Sequence, residues 1–419
     1  MTPDHDIKPG PITACHVCGS SELRTVIDLG HQPLCDSMVT ETTLAEPEVT
    51  YPLRLLRCVE CSLAQLDYVV PGDVVFHPEY PYRSGITAEL VEYQTASAKS
   101  LAERHQLPKG SLVVDVGSND GTMLAAFKQL GMRVLGVEPT NIAQLARQAG
   151  VDTLQEFFTE KLAEEIVRDY GQASLIVSTN TYAHIASLGE VVRGVARLLS
   201  DSGVFVTENH NLLDVLQKGQ FDTIYHEHLR TYSLKSLLRL YSFYDFTLVH
   251  AERVSRYGGN LRAHAKKGQG HAVSANVMTL LEEEEEFGIS TEKPYEAFRQ
   301  RAEKSAEDLL KLTLRARSEG KSLVGISCPG RCVTLLNYAG ITERLMPYIA
   351  EQPTSLKLGM YLPGKHIPIM DNSRLTDDQP DIAVLLAWHY ADPIMKQWRE
   401  RGLRSRFVVP LPDVSFIDD

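Results

Sequence analysis

Short β-branched segments alternate with helical segments along most of this chain from Leu101 onward. The first buried strand is predicted at residues 111–117, and a helical segment at residues 123–130 follows it. Further strands are predicted at residues 133–138, 173–178 and 203–208. Such alternation is typical of parallel sheets with crossover helices on both faces. The sequence therefore predicts an α/β fold with a doubly wound central sheet.

A second α/β unit is predicted near the end of the chain. It begins with a strand at residues 322–327, continues through a loop at 328–332, and includes a later strand at 382–387. Residues 272–319 between the two units are predicted to be helical, with the glutamate run 282–286 forming a solvated face. A chain of 419 residues is long enough for two or three domains, so three parts are expected.

Composition indicates a globular protein and excludes several classes of partner. The net charge of −12 makes a general attraction to nucleic acid or anionic membranes unfavourable. The sequence has no apolar run of the roughly 20 residues that cross a bilayer, and residues 1–6 lack a secretory leader pattern. We therefore expect a cytoplasmic protein, in which cysteines serve as metal ligands or free thiols.

Two Cys-x-x-Cys pairs lie near the beginning of the chain, and 39 residues separate them. They consist of Cys15 with Cys18 and Cys58 with Cys61. Four thiolates at such spacing complete a tetrahedral Zn²⁺ shell with no open position, which predicts a structural zinc site. Redox or unrelated thiols are the alternative. A shell of four cysteines needs no further ligand. We therefore interpret the nearby Cys35, His16 and His31 as packing or surface residues.

A glycine-containing loop follows the first predicted strand. Gly117 and Gly121 allow close approach of the backbone to a ligand, and the next helix presents free N–H groups there. The spacing lacks a complete G-x-G-x-x-G motif, which favours a nucleoside ligand such as S-adenosylmethionine over a dinucleotide. Glu138 ends the second strand, where doubly wound folds place an acid against ribose hydroxyls. A purely structural glycine turn is the alternative.

Residues 225–228 concentrate four groups that move protons or bind anions: Tyr225, His226, Glu227 and His228. A histidine is mostly unprotonated at pH 7 and can act as a general base. If the segment is extended, both histidines share a face, and if it is helical they diverge. The residues alone do not decide which histidine meets a substrate. A surface histidine cluster and a metal site are the alternatives.

Two other segments carry polar groups at positions suited to a site. His184 follows the predicted strand at residues 173–178, at the edge where doubly wound sheets bind ligands. A core histidine is an equally good interpretation. The aromatic loop at residues 80–84 either closes over a substrate or caps the sheet.

Taken in order, these segments resemble the nucleotide-sugar 3-C-methyltransferases that make branched-chain deoxysugars. The resemblance covers nearly the whole chain and is carried by the two Cys-x-x-Cys pairs and by residues 80–84, 117–121, 136–139, 180–185, 225–228, 258–262 and 362–369. It implies an S-adenosylmethionine-dependent methyltransferase domain at residues 76–270. A zinc-binding domain at 1–75 and a helical connector with a C-terminal Rossmann-like α/β domain at 271–419 would flank it.

The resemblance also implies residue roles on a small-molecule substrate, a 4-keto sugar nucleotide. His228 would take the C3 proton, and His184 would donate to the 4-oxygen. Tyr225 and Glu227 would position the sugar and tune the base, while Tyr80 or Tyr82 lines the pocket that zinc helps to fix. The predicted cofactor-binding residues are Asp115, Gly117, Asn119, Gly121, Glu138, Pro139, Phe158 and Asn180.

The chain departs from the family pattern in its last part. Cys328 and Cys332 flank a loop in which Arg331 takes the place of a lysine, as a partner for phosphate or carboxylate. The strand that normally follows is also changed, at residues 348–353. The alternatives are a methyltransferase acting on another keto-sugar, a heptose or a keto-acid, and a zinc-bearing scaffold that binds S-adenosylmethionine without turnover. A monomer or dimer is expected.

Overall fold

Four β-sheets organise the chain in this computed structural model, which describes residues 3, 5–77 and 80–417. Three of the N-terminal residues used to argue against a leader, Met1, Thr2 and Asp4, lie outside the described residues. The predicted α/β class, with a small cysteine-bearing N-terminal part and two further α/β units, is confirmed.

The N-terminal part is built from short antiparallel strands. Its elements are β1 (Gly10–Pro11), β2 (Leu23–Gln32), β3 (Tyr51–Cys58), β4 (Ala64–Leu66), β5 (Tyr68–Val69) and α1 (Gly72–Val75). Helix α2 (Ala88–Arg104) follows, and its buried Ala98 and Leu101 pack in the core of the middle part. Strands β2, β3 and β4 form one sheet, and β1 pairs with β5. The Cys-x-x-Cys turns lie at one end of this sheet, since Cys58 is the last residue of β3.

The middle of the chain forms a seven-stranded sheet. Its strands are β6 (Leu112–Val116), β7 (Arg133–Val137), β8 (Thr153–Leu154), β9 (Ala173–Thr179), β10 (Leu199–His210), β12 (Phe246–Val254) and β13 (Asn260–Lys267). Strands β6 to β10 are parallel, and the β12–β13 hairpin joins the β10 edge antiparallel. All five residues of β6 are buried, which explains its nearly continuous apolar sequence.

Helices cover both faces of this sheet and connect its strands. They are α3 (Thr122–Gln129), α4 (Ala143–Gln148), α5 (Glu160–Tyr170), α6 (Leu188–Leu198), α7 (Leu212–Gln217) and α8 (Leu234–Ser242). One more short strand, β11 (Arg230–Thr231), leaves the middle part and pairs with β4 of the N-terminal sheet. The segment that follows His228 therefore belongs to the N-terminal sheet and not to the central one.

The predicted helical segment between the two α/β units is confirmed as α9 (Ala275–Phe287) and α10 (Lys293–Ser318). The solvated-face interpretation of the glutamate run is wrong for Glu284, which is buried. Its carboxylate accepts the backbone N–H groups of Leu234 at 2.6 Å and Lys235 at 3.2 Å. Because these groups are free donors at the start of α8, Glu284 caps that helix.

The C-terminal unit contains a six-stranded sheet. Its strands are β14 (Leu323–Ile326), β15 (Ile349–Glu351), β16 (Ile369–Asp371), β17 (Ile382–Leu385), β18 (Arg406–Val409) and β19 (Ser415–Ile417), and its helices are α11 (Arg331–Tyr338), α12 (Arg374–Asp378) and α13 (Ala391–Glu400). Only β19 is antiparallel to its neighbour among the described strands of this sheet.

The three parts share apolar cores. One cluster joins N-terminal strands, the segment around α7, helix α10 and the C-terminal sheet, while another joins the zinc-binding turns to the central sheet. The predicted boundaries at residues 75 and 270 stay predictions. Among the described helices, none is both long and apolar enough to span a bilayer.

Candidate active site

The four predicted zinc ligands converge at one end of the N-terminal sheet. The Sγ atoms of Cys15 and Cys61 are 3.5 Å apart, and those of Cys18 and Cys58 are 3.4 Å apart. All four sulfurs lie within 4.8 Å of one another. Tetrahedral zinc with bonds of about 2.3 Å separates its sulfurs by roughly 3.8 Å, so the donor set fits a closed structural zinc site.

This zinc centre supports the segment at residues 225–228 through the strands of its sheet. Strand β3 runs from the neighbourhood of His226 to the ligand Cys58, and the carbonyl of Pro52 on β3 lies 3.2 Å from His226 Nε2. On the other side, the N–H of Leu66 donates to the carbonyl of Leu229 at 3.0 Å, beside the β4–β11 pairing. The zinc-bound sheet therefore contacts this segment on two sides.

Residues 225–228 form a turn, in which the His228 N–H donates to the Tyr225 carbonyl at 2.9 Å. The turn sends the two histidine rings in different directions. His226 points to β3, where its ring lies 5.9 Å from that of Tyr51. Both rings are buried, but His228 points toward the rings of Tyr225, His210 and His184. The structure thus places the His228 ring, and not the His226 ring, among the other candidate site residues.

A single hydrogen bond fixes the protonation pattern of the His228 ring. Its Nδ1 lies 2.6 Å from the carbonyl oxygen of Thr223. Because a carbonyl can only accept, Nδ1 must carry the proton, and Nε2 of the neutral ring presents a lone pair. Burial, followed by the nearby His210 and His184, lowers the pKa of His228 well below its usual value. A neutral imidazole with a free Nε2 is the form that accepts a proton.

Three aromatic side chains surround this ring. The ring centroids of Tyr225, His210 and His184 lie 3.9, 4.6 and 4.9 Å from that of His228. Burial lowers the pKa of His184 to about 4 and that of His210 to about 3. Burial also raises the pKa of Tyr225 well above 10, so all these groups are neutral near pH 7. Each of them can donate a hydrogen bond.

Two residues of this cluster were missed by the sequence analysis. His210 is the last residue of β10, and its position at a strand end was the signal that could have identified it. Arg230 is buried and donates to the carbonyl of Ile185 at 2.6 Å, which connects the strand after His228 to the loop that carries His184. No local pattern marks that contact, because 45 residues separate its partners.

Glu227 faces away from the histidines, toward a buried polar group of the N-terminal part. The Tyr80 hydroxyl donates to one carboxylate oxygen at 2.8 Å, and the Cys35 thiol donates to the other at 3.2 Å. Burial and the neighbouring Asp36 raise the pKa of Glu227 to about 8. Cys35 is buried, and its thiol contacts a candidate site residue.

The aromatic loop is attached to the glycine loop of the central sheet. The N–H of Ser84 donates to Asn119 Oδ1 at 2.7 Å, and the N–H of Gly85 donates to Asp120 at 2.8 Å. The hydroxyl groups of Tyr82 and Tyr257 are 2.5 Å apart. The aromatic loop therefore connects the glycine loop to Tyr257. Its connection to the zinc centre is indirect.

The glycine loop lies at the carboxyl end of β6 and begins α3. Gly117 and Gly121 have φ angles of 79° and 76°, which disfavour other residues. A Cβ at Gly117 would lie 2.3 Å from the side chain of Thr181, so the loop packs closely against the end of β9. Asn119 has the same left-handed conformation, with φ of 51°. These conformations turn the backbone toward the edge where ligands bind.

Several buried polar atoms at this edge suit a nucleoside ligand. Glu138 accepts the Asn119 N–H at 3.0 Å and the Thr140 hydroxyl at 2.7 Å, so it holds the glycine loop in place. Burial, followed by Glu138, raises the pKa of Asp115 to about 7. Within the described part of the chain, Asp115 Oδ1, Ser118 Oγ and Asn180 Nδ2 lack hydrogen-bond partners. These donors and acceptors fit the amino, carboxylate and hydroxyl groups of S-adenosylmethionine.

The remaining predicted cofactor residues lie in different surroundings. Asn180 follows β9, and its side-chain oxygen accepts from Asn260 at 3.0 Å. Pro139 directly follows Glu138 at the end of β7. Phe158 is buried in the core, where its ring would meet a Cβ at Gly194 of α6 at 2.9 Å. Its part in cofactor binding stays a prediction.

Arg331 forms an internal ion pair. It donates to both carboxylate oxygens of Asp222 at 2.6 and 2.7 Å, and its guanidinium lies 5.2 Å from the Trp388 ring centroid. Its predicted anionic partner is therefore a carboxylate within the chain. The pair fixes the C-terminal part against the segment that precedes residues 225–228.

Three family models match consecutive parts of the chain. A zinc binding domain matches residues 15–76, a methyltransferase domain matches residues 90–251, and a C-methyltransferase C-terminal domain matches residues 255–412. C-methyltransferase NovU from Streptomyces niveus is 34% identical over 408 residues, which cover 96% of each chain. The predicted cofactors, S-adenosylmethionine and structural zinc, are confirmed at the level of these domains.

Two solved methyltransferase structures each match less than half of this chain. An S-adenosylmethionine-dependent methyltransferase from Clostridium acetobutylicum is 11% identical, with 43% of this chain and 92% of that chain covered and a TM-score of 0.35. Magnesium protoporphyrin IX methyltransferase from Synechocystis is 13% identical, with 43% and 82% covered and a TM-score of 0.33. Both scores are too low to support conclusions about the site.

Replacing one zinc ligand should destabilise the whole N-terminal part. Cys58→Ser is expected to lose the bound zinc ion and about 4 kcal/mol or more of unfolding free energy, since lost metal sites are among the largest single effects. That loss corresponds to a fall in melting temperature of about 8–16 °C. Zinc content and thermal melts check this. Cys332→Ser, which replaces a buried thiol outside the zinc site, should keep its zinc. Retention of stoichiometric zinc by Cys58→Ser would contradict the assignment.

The buried histidines should stay neutral in mild acid. The pKa values of His184, His210, His226 and His228 are all lowered by burial, whereas histidines in the unfolded chain titrate near pH 6.5. Below pH 6.5 the unfolded state binds more protons, so folding stability falls with acid, by about 1–2 kcal/mol per histidine at pH 5.

Imidazole ¹⁵N NMR spectra at pH 5.5 measure this directly, with signals assigned from single His→Asn variants. We expect His228 as the neutral tautomer with its proton on Nδ1. Titration of the His228 signals with a midpoint near pH 6.5 would show that the ring is not buried as described.

Proposed function

Because this chain belongs to the family of S-adenosylmethionine-dependent C-methyltransferases that includes NovU, we propose that it methylates C3 of a 4-keto-deoxysugar nucleotide through an enolate. The observation that carries the proposal is the His228 ring, whose Nδ1 is held by Thr223 and whose Nε2 has no hydrogen-bond partner among the described residues. A carbon next to a ketone is acidic enough for such a base when its enolate oxygen is stabilised.

In the first step, Nε2 of His228 takes the proton from C3. The electrons of the C–H bond form a C3–C4 double bond, and the negative charge moves to the 4-oxygen. The resulting imidazolium lies beside that negative charge. The attraction between these two opposite charges offsets the unfavourable burial of a charged His228 ring, whose pKa is lowered well below its usual value.

His184 supports the negative oxygen in this proposal. Its ring lies 4.9 Å from that of His228, and burial lowers its pKa to about 4, so it is a neutral hydrogen-bond donor. A neutral donor is well suited to a developing oxyanion because it does not have to surrender its proton. Arg230 holds the backbone next to His184 through the Ile185 carbonyl. The base and the oxyanion donor are thereby fixed relative to each other.

S-adenosylmethionine, when bound, supplies an electrophilic methyl group. The residues that would hold it are those of the glycine loop, with Glu138 and Asp115 beneath it. The enolate carbon would take this methyl group as the methyl–sulfur bond breaks, which would restore the ketone and leave neutral S-adenosylhomocysteine. The substrate would thereby lose one proton to His228 and gain one methyl group. Because Asn119 binds the backbone of Ser84, the glycine loop also positions the aromatic loop. Tyr80 and Tyr82 would then cover the sugar and exclude water.

Glu227 acts as a positioning residue in this proposal. Both of its carboxylate oxygens are engaged, one by Tyr80 and one by Cys35. It therefore holds the Tyr80 ring in place through its hydroxyl group, and it does not contact His228. Tyr225, which packs on the His228 ring, keeps its proton and can donate to a sugar oxygen.

The proposed reaction is tested by incubating the protein with a 4-keto-6-deoxy sugar nucleotide in deuterated water, with and without S-adenosylmethionine. With the donor, mass spectrometry should show a product that carries one extra methyl group. Without the donor, NMR should show deuterium at C3. Binding of the donor with neither result would contradict the proposal and favour the non-catalytic scaffold. Turnover of a keto-acid or a heptose, but not of the sugar nucleotide, would contradict the proposed substrate class.

The two histidines of residues 225–228 provide a matched pair of variants. His228→Asn should slow C3 exchange by about 10²–10⁴-fold, the usual contribution of a general base, and should leave donor affinity nearly unchanged. His226→Asn alters a ring that contacts β3 and should keep most of the exchange rate. Normal exchange by His228→Asn would show that the base is assigned to the wrong residue.

Glu138→Gln should separate donor binding from proton removal. The change weakens an acceptor of three hydrogen bonds that holds the glycine loop, so the Kd for S-adenosylmethionine should rise by about tenfold or more. C3 exchange without the donor should continue. Isothermal titration and the exchange assay check both results, with the exposed Glu164→Gln on α5 as the control. An unchanged Kd would remove Glu138 from the donor site.

A further inference from the structure

A second group of metal-binding side chains lies on the β12–β13 hairpin, apart from the four cysteines. His250 on β12 and His264 on β13 are opposite each other in the antiparallel register, and Glu252 is two residues after His250 on the same strand. Cross-strand partners and residues two apart share one face of a sheet. One ligand atom from each of the three side chains lies within 4.8 Å of the others.

Each histidine has one ring nitrogen engaged and one available. His250 Nδ1 shares a hydrogen bond with Ser274 Oγ at 2.8 Å, and His264 Nδ1 shares one with His105 Nε2 at 2.9 Å. Both Nε2 atoms are buried and lack a hydrogen-bond partner in the part of the chain that the structure describes. His264 is fully buried and His250 is 8% exposed. Partners on Nδ1 that aim Nε2 at an ion are typical of metal-binding histidines.

The spacing between these atoms suits an ion better than a direct contact. Oxygen atoms of Glu252 lie 4.0 Å from His250 Nε2 and 3.8 Å from His264 Nε2, both too long for a hydrogen bond. Zinc bonds of about 2.0–2.2 Å to nitrogen and oxygen join donor atoms that are roughly 3–4 Å apart. A single cation between the three side chains would satisfy both orphaned nitrogens.

We propose that His250, Glu252 and His264 form a second metal site, which binds a divalent transition ion such as Zn²⁺ or Co²⁺. Two imidazoles and one carboxylate select such ions over Mg²⁺ and Ca²⁺, which prefer oxygen ligands alone. Three protein ligands leave one position for water. The site is thus open, unlike the closed four-cysteine centre.

Neighbouring charges make this site weaker than the cysteine centre. Arg262 lies 3.4 Å from Glu252 and would repel a cation. Most of its charge is matched, however, because its guanidinium also donates twice to the buried Glu208, at 2.8 and 3.0 Å. An ion here would bind reversibly, while zinc on four thiolates is retained.

The ion would join elements that also shape the donor site. His105 lies just beyond α2, and Ser274 lies just before α9, so the ligands and their partners connect both helices to the hairpin. On the same hairpin, Asn260 donates to Asn180 and to Glu208. We therefore expect the ion to stabilise the hairpin edge of the central sheet.

The test uses the full-length protein washed with a mild chelator, so that it keeps one zinc ion per chain on its cysteines. Cobalt(II) chloride is then added under titration. The expected result is one further equivalent of Co²⁺, with weak visible bands, without thiolate-to-cobalt charge transfer, and with a rise in melting temperature. Glu252→Gln and His250→Gln should each weaken this binding at least tenfold. His271→Gln, which alters another histidine of the same part, should bind Co²⁺ like the wild type.

Three outcomes would overturn the proposal. The first is failure of the washed protein to bind a further Co²⁺ ion at micromolar to millimolar concentrations. The second is binding with thiolate charge transfer, which would mean that Co²⁺ displaced zinc from the cysteines. The third is binding that Glu252→Gln and His250→Gln leave unchanged although both variants fold, as judged by circular dichroism.

Discussion

The antiparallel pairing of β11 with β4 is the constraint on which the site depends. It places Arg230 and Thr231, immediately after His228, in the sheet that ends in the zinc ligands. Zinc contacts no reacting atom in this account, yet it fixes the strands that hold residues 225–228. Arg230 extends the same constraint to the His184 loop through a 2.6 Å bond to Ile185. A structural metal thus acts on chemistry through backbone pairing.

Burial decides the electrostatics of the cluster. The ring centroids of His184 and His210 lie 4.9 and 4.6 Å from that of His228, so the three imidazoles could not all be charged, and desolvation keeps each of them neutral. The carbonyl of Thr223 then selects the tautomer of His228. Its Nε2 is thereby left as the acceptor, although all three side chains are chemically identical. In the proposed reaction, the base and oxyanion-donor roles would arise from position alone.

Much of the fold could be predicted from the sequence, because buried strands such as β6 and the cysteine spacing are local signals. The four converging cysteines were also predicted, as were His228 and His184, whose catalytic roles are proposals. Contacts made only by the tertiary fold could not be predicted. The two-residue strand β11 has no periodicity, Glu284 caps a helix some 50 residues away, and His250 meets His264 only across a hairpin register. The direction of Glu227, toward Tyr80 and Cys35, likewise depends on packing between parts.

The central claim is that His228, held by Thr223, meets a carbonyl-activated carbon. A crystal structure with S-adenosylhomocysteine and a 4-keto sugar nucleotide tests it most directly. The account predicts Nε2 of His228 within about 3–3.5 Å of C3. It also predicts the donor sulfur in a position from which its methyl group would point at that carbon. A ligand whose ketone carbon lies against another side chain, with the His228 ring excluded from it, would contradict the account.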